Sequence, residues 1–261
     1  METRLSSPTR EVVISRERPF VIIGERINPT GRSVLTAEMK AGVMDRVRAD
    51  AFLQTQAGAS VIDVNAGIPG VDEPELLVAA IRAVMEVTDA PLCIDSSSVE
   101  ALEAGLRVYE GKPLVNSVNA ETERMERILP LVKRYGAAVI GMTTDESGIA
   151  SEPTARLALA RRIVVAATDH NIPVEDVIID PVAMPIASNA TNVQIILDTM
   201  RLIHDELGNN ITCGASNVSF GLPNRASVNA AFLALAIRAG LTCAITNPLE
   251  QEVRRAIFDA V

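Results

Sequence analysis

The sequence predicts an α/β protein built as a single (β/α)8 barrel with a short N-terminal arm, and three observations predict it. Short β-branched runs alternate eight times with longer amphipathic segments. The strand runs are continuously apolar, as in a parallel sheet covered on both faces. A chain of 261 residues with 48% hydrophobic content is long enough for one large buried core. Eight such units in one domain of this size point to a closed barrel, with a six-stranded open sheet as the structural alternative.

The strand runs lie at 20–24 (FVIIG), 60–64 (SVIDV), 91–95 (PLCID), 113–117 (PLVNS), 137–142 (AAVIGM), 176–180 (DVIID), 211–215 (ITCGA) and 242–246 (TCAIT). Between them the helical patterns fall near 36–57, 73–88, 98–110, 121–135, 153–170, 190–207, 227–239 and 249–260. Asp72-Glu73-Pro74, Glu152-Pro153 and Ser227 put capping oxygens, acids or proline in first turns. Gly58, Gly105, Gly136 and Gly240 fall at or near helix ends. No linker or low-complexity stretch divides the chain, so residues 20–261 read as one barrel. Residues 1–19, with their alternating EVVISRER pattern, read as an arm or hairpin over the barrel's bottom and are assigned no chemistry.

Composition narrows the function. A net charge of −9 argues against a nucleic-acid or membrane-surface partner, which would need surplus Lys and Arg. No apolar run is long enough to cross a membrane and the N-terminus lacks a secretory pattern, so a cytoplasmic location is expected. Cys93, Cys213 and Cys243 sit inside strand runs and read as core thiols. The only histidines, His170 and His204, lie in helical segments, and no His–carboxylate cluster has metal spacing, so no bound metal is expected. The three lysines, Lys40, Lys112 and Lys133, map to two helices and the entrance of the fourth strand, which excludes Schiff-base chemistry at a strand's C-terminal end.

A (β/α)8 barrel builds its active site at the C-terminal ends of its strands. Here those positions carry Glu25, Arg26 and Asn28, then Asp63 and Asn65, Asp95-Ser96, Asn116-Ser117, Asp180-Pro181, Ser216-Asn217 and Asn247-Pro248. A single Asp or Asn after a strand commonly binds local backbone or caps the next helix. So many polar groups aimed into one mouth need partners, and a polar planar ligand supplies them. Asp95 and Asp180 can accept from an amidine-like N–H pair, while Asn116 and Asn217 can donate and accept. The 2-aminopyrimidinone edge of a pterin presents that mixture.

The segments Ile23-Gly24-Glu25-Arg26-Ile27-Asn28, Asp63-Val64-Asn65-Ala66-Gly67, Cys93-Ile94-Asp95-Ser96, Asn116-Ser117-Val118-Asn119-Ala120-Glu121, Ile179-Asp180-Pro181 and Ser216-Asn217-Val218-Ser219-Phe220-Gly221-Leu222-Pro223-Asn224-Arg225 resemble the methyltetrahydrofolate-dependent methyltransferases. That family includes the folate:corrinoid/iron-sulfur-protein methyltransferase and the folate module of cobalamin-dependent methionine synthase. The resemblance runs through nearly the whole chain, in order. It implies a TIM barrel of the pterin-binding type, usually a homodimer, acting on tetrahydrofolate or 5-methyltetrahydrofolate with a cobalamin or other corrinoid on a partner protein. Carried over by motif, Asp95, Asn116 and Asp180 hold the pterin and Asn217 sits near folate N5. Gly214, Ser216 and Arg225 are further contacts, Arg225 for the anionic end of the folate or for loop order. Glu25, Arg26, Asn28, Asp63, Asn65 and Met142 are expected to support this set. The chain departs from the acetogenic enzymes at Phe220, where they carry a polar residue, and it stops near the eighth helix where relatives commonly continue, so the dimer surface is expected to differ.

The chemistry implied is methyl transfer between N5 and cobalt, in either direction, with Asn217 in a hydrogen-bond network and the proton routed through solvent or that network, because an amide does not titrate. Dihydropteroate synthase, which shares the pterin pocket, resembles a different pattern: a lysine after the seventh strand and a terminal Ser-x-Arg motif. This chain has no lysine beyond Lys133 and only Thr246-Asn247-Pro248 at its eighth strand. A non-catalytic folate-binding subunit is the alternative of another class.

Overall fold

In the computed structural model, which describes residues 1–260, the chain begins with an antiparallel hairpin of β1 (Thr3–Ser6) and β2 (Glu11–Ile14). The strands that follow are β3 (Val21–Ile27), β4 (Val61–Asn65), β5 (Leu92–Asp95), β6 (Leu114–Asn119), β7 (Ala138–Met142), a short ribbon of β8 (Thr144–Asp145) and β9 (Gly148–Ile149), then β10 (Val177–Asp180) and β11 (Cys243–Thr246). Seven of them form one parallel sheet in the order β10-β7-β6-β5-β4-β3-β11. Residues 211–214 fill the gap between its two edges through parallel bridges Ile179 to Ile211 and Gly214 to Ile245, so the sheet closes as a (β/α)8 barrel.

The seventh strand is therefore an irregular one, and a side chain from the following strand region is the reason. The Thr242 hydroxyl accepts the Ile211 N–H at 3.0 Å and donates to the Ile211 carbonyl at 3.1 Å, putting a side chain where a ladder rung would be. The helical layer comprises α1 (Ser33–Lys40), α2 (Asp45–Gln56), α3 (Glu73–Met85), α4 (Val99–Val108), α5 (Thr122–Tyr135), α6 (Pro153–Asp169), α7 (Asn192–Glu206), α8 (Arg225–Arg238) and α9 (Gln251–Ala260). The single helix expected over 36–57 is broken in two. Gly42, at φ +74, ends α1 in a Schellman arrangement: Gly42 N–H donates to Met39 O and Val43 N–H to Glu38 O. The β8–β9 ribbon was absent from the sequence reading; it turns over Asp145, whose Oδ1 accepts the Ser147 N–H at 2.8 Å. No described helix is long and apolar enough to cross a membrane.

Alternation along each strand sorts the barrel interior. The inward series runs Val21-Ile23-Glu25, Val61-Asp63-Asn65, Cys93-Asp95, Leu114-Asn116, Ala138-Ile140-Met142, Ile178-Asp180 and Cys243-Ile245. The lower members pack together as one apolar cluster, while the outward residues Ile22, Ile62, Val64, Leu92, Ile94 and Val115 pack with the helices. The series changes from apolar to polar at the C-terminal ends, which places the polar layer at one mouth.

The hairpin closes the other mouth. Leu5, Val12 and Ile14 join the interior apolar cluster, and Leu5 and Ile14 are fully buried. Buried Asn210 fixes the hairpin by donating to Ile14 O at 2.8 Å and to Thr3 Oγ1 at 2.9 Å. Ser6 and Lys112 exchange backbone hydrogen bonds at 3.0 Å, and the Lys112 ammonium is 2.7 Å from Asp176. Ile14→Ala is expected to lower unfolding stability by about 2–5 kcal/mol, through lost burial and the cavity left behind. Urea unfolding measures it, and a loss below about 0.5 kcal/mol would show that the hairpin does not seal the core.

Candidate active site

The polar layer is built from adjacent strands in register. Asn65 lies opposite Asp95, and Asp95 opposite Asn116. Two amides bridge these strands: Asn65 Nδ2 donates to Asp95 Oδ2 at 3.0 Å, and Asn116 Nδ2 to Asp63 Oδ1 at 3.3 Å. Asp63 is buried deepest. Burial first, and the charge of Asp95 second, hold its carboxyl well above the usual carboxylate range. Burial also pushes Asp95 up to about 6, against the hydrogen bond from Asn65, which lowers it. A cavity of about 330 Å³ opens onto this layer, lined by Asp95, Asn116, Asn119, Glu121, Arg124 and Met142 among others.

Asp180 ends β10 beside Met142. One of its oxygens accepts the Val182 N–H at 2.7 Å, and burial pushes its carboxyl up to about 6 despite that bond and the nearby Arg156 guanidinium. Arg156 is itself buried, donating to the carbonyls of Ala150, Pro181 and Val182 at 2.7–3.0 Å, so it orders the loop after β10. Across the mouth, Ser216 Oγ donates to Glu25 Oε1 at 2.8 Å. Burial raises the Glu25 carboxyl to about 7, outweighing the Ser216 hydrogen bond.

Asn217 follows Ser216 in a 3-10 turn over Ala215–Ser219 and is exposed at the mouth. Gly214 gives it room: a Cβ at 214 would stand 3.0 Å from Asn217 Nδ2. Arg225 orders this loop. Its Nε donates to Ser219 Oγ at 3.0 Å and its Nη2 to Ser216 O at 2.8 Å.

The predicted residues thus gather as two groups. Asp63, Asn65, Asp95, Asn116 and Met142 form one, Glu25, Gly214, Ser216, Asn217 and Arg225 the other, and Asp180 lies on β10, next to β7 in the sheet. Arg26 and Asn28 are not brought in. Arg26 has the outward parity of β3, and its guanidinium pairs with Asp50 of α2 at 3.1 Å. Asn28 lies past the strand and accepts the Thr30 N–H at 3.0 Å, an ordinary Asx turn.

Three groups at the mouth escaped the sequence reading. Arg124, on the first turn of α5, donates to the carbonyls of Ser96 at 3.2 Å and Ser117 at 3.1 Å and to that of Ser97. Glu73 accepts from the Ser96 hydroxyl. Glu250 accepts from Asn247 at 3.3 Å through one oxygen, while the other is buried with no partner among the described residues. The Arg124 and Glu73 contacts with Ser96 and Ser97 join residues more than twenty positions apart and have no local signal, whereas Glu250 and Asn247 are three residues apart. Among the described residues no group of three or more His, Cys, Asp or Glu is disposed to hold a metal ion.

Residues 24–247 match the family described as pterin binding enzymes. The chain is 32% identical over 247 residues to the methylcorrinoid:tetrahydrofolate methyltransferase of Eubacterium limosum, covering 92% of this chain and 89% of that protein. In structure it resembles dihydropteroate synthase from Xanthomonas albilineans in complex with 7,8-dihydropteroate, with TM-score 0.74, 20% identity, and 98% and 97% of the two chains covered. The Yersinia pestis enzyme with a pterin–sulfa conjugate gives TM-score 0.70 at 14% identity, over 99% and 97%. At those identities the likeness to the synthases is one of fold.

The Glu25 carboxyl carries a pH signature. Its value is raised from 4.5 to about 7 on folding, so its stabilising contribution is full below pH 4.5 and is lost as pH rises through about 7. Glu25→Gln is expected to remove that loss, making the variant progressively more stable relative to wild type from pH 4.5 to above 7, by on the order of 3 kcal/mol at most. Urea unfolding across this range measures it, and parallel pH profiles would contradict the burial of a titrating Glu25.

Proposed function

We propose a function from the premise that this chain belongs to the pterin-binding enzymes, in the family of the methylcorrinoid:tetrahydrofolate methyltransferase: it moves a methyl group between N5 of tetrahydrofolate and the cobalt of a corrinoid carried by a partner protein. The observation that carries this reading is the inward strand-end layer. Asp95, Asn116 and Asp180 provide the acceptors and the amide that a pterin's aminopyrimidinone edge requires. They are already partly desolvated, so donors arriving from a ligand satisfy them at little further cost.

The lysines support methyl transfer over the synthase reaction. Lys112 is paired with Asp176 at the hairpin end, Lys133 donates to Asn171 O at 2.7 Å, and Lys40 ends α1. None of them ends a strand.

The corrinoid supplies a cobalt that carries or accepts the methyl group; this chain supplies position and hydrogen bonds. In this reading Asn217, on an ordered turn, bonds N5 and holds its lone pair toward the mouth. When N5 takes up a methyl group it must shed a proton, and in the opposite direction N5 must regain one. Glu25 is the carboxyl of this corner that is joined to the Asn217 turn, through Ser216 at 2.8 Å. A carboxyl near 7 can hold or release that proton at neutral pH, and Asn217 cannot.

Two variants separate binding from chemistry. Asn217→Ala is expected to slow single-turnover methyl transfer by about 10- to 1000-fold, the scale of one transition-state hydrogen bond of roughly 1.4–4 kcal/mol. Asp180→Ala is expected to lose tetrahydrofolate binding in calorimetry. A wild-type rate in the first, or wild-type affinity in the second, would remove that residue from its role.

A further inference from the structure

Phe220 has no packing role that accounts for it. It is 66% exposed, on the loop that carries Asn217, and its N–H donates to the Asn217 carbonyl at 3.1 Å. The other exposed phenylalanines, Phe52 and Phe258, lie on α2 and α9. Isolated exposed apolar residues are common, but this one is held in place. The Arg225 guanidinium lies 5.9 Å from the ring centroid and is itself anchored by Ser219 Oγ and Ser216 O. Gly221, at φ +80, then turns the chain, where an added Cβ would meet Ala187 of the neighbouring loop. An aromatic ring is thus braced on a rigid lip with much of its surface left to solvent.

The proposed reaction constrains what meets that lip. In-line transfer brings the reacting atoms within about 3–3.5 Å, so the broad face of a corrin must lie across the mouth beside Asn217. Three residues of 3-10 turn advance the chain by only about 6 Å, which keeps Phe220 within reach of such a face. We propose that Phe220 is a docking and specificity residue for the corrin ring of the partner, a role that rests on the methyltransferase reading. The folate's own benzoyl-glutamate tail is the competing occupant. Arg225 weighs against it, because Nε and Nη2 of its guanidinium are already turned into the loop toward Ser219 Oγ and Ser216 O. What the corner presents is an apolar ring, and that suits a macrocycle face.

The test follows methyl transfer from free methylcobalamin to tetrahydrofolate by absorbance, together with calorimetric tetrahydrofolate affinity, for wild type, Phe220→Ala and Phe220→Tyr. Phe220→Ala is expected to raise the KM for methylcobalamin about three- to tenfold, the scale of one lost aromatic contact. Its tetrahydrofolate Kd should stay within twofold of wild type, and Phe220→Tyr should restore the KM. A raised folate Kd with unchanged methylcobalamin KM would assign the ring to the folate tail and overturn the proposal, as would no change in either. If wild type itself binds tetrahydrofolate but removes no methyl group from methylcobalamin or from a methylated corrinoid protein, the methyltransferase reading fails and the proposal falls with it.

Discussion

Four carboxyl groups, Asp63, Asp95, Asp180 and Glu25, share the upper layer of one barrel, and burial raises the pKa of each. Ionising such a group in a low-dielectric interior is costly unless donors surround it. The strand-end amides meet part of that need, with Asn65 on Asp95 and Asn116 on Asp63. The backbone meets another part, through Val182 on Asp180. In the proposed reading a ligand with N–H groups along one edge completes the layer, so that the arrangement serves binding more than stability.

The rest of the fold lets the layer exist. Below it, the barrel is filled by Val21, Ile23, Val61, Cys93, Leu114 and their neighbours, and sealed by Leu5, Val12 and Ile14 of the hairpin. Around the rim, two arginines hold loops: Arg156 binds three carbonyls behind Asp180, and Arg225 binds the turn carrying Asn217. Preorganisation of this kind confines the reacting groups before any substrate arrives. Glu25 joins the two themes. It is an inward strand-end carboxyl and also the hydrogen-bond partner of Ser216, so the binding layer and the Asn217 turn meet in one residue.

Much of this was legible because side-chain alternation is a backbone property. Asp63, Asp95, Asn116, Met142 and Asp180 follow inward apolar residues at a spacing of two, so their common direction could be read along each strand. The same parity sends Arg26 outward to Asp50, a distinction that reading strand ends as a set overlooked. The break at Gly42 had a local signal in Ala41-Gly42, although amphipathicity continued on both sides. The irregular seventh strand had none, because it depends on the Thr242 hydroxyl, 31 residues from Ile211. Arg124 on Ser96, Ser97 and Ser117, and Glu73 on Ser96, likewise join residues remote in sequence, and only packing reveals them.

The most direct test of the account is made on the unaltered protein: whether it carries a methyl group across the cobalt–nitrogen gap. Cobalt absorbance, recorded while methylcobalamin or a methylated corrinoid protein is mixed anaerobically with tetrahydrofolate, reports the transfer. The account predicts that enzyme and tetrahydrofolate together convert the methylcobalt spectrum to that of cob(I)alamin, with 5-methyltetrahydrofolate formed in equal amount. Tight tetrahydrofolate binding with an unchanged cobalt spectrum for both donors would contradict it and make this barrel a folate-binding subunit.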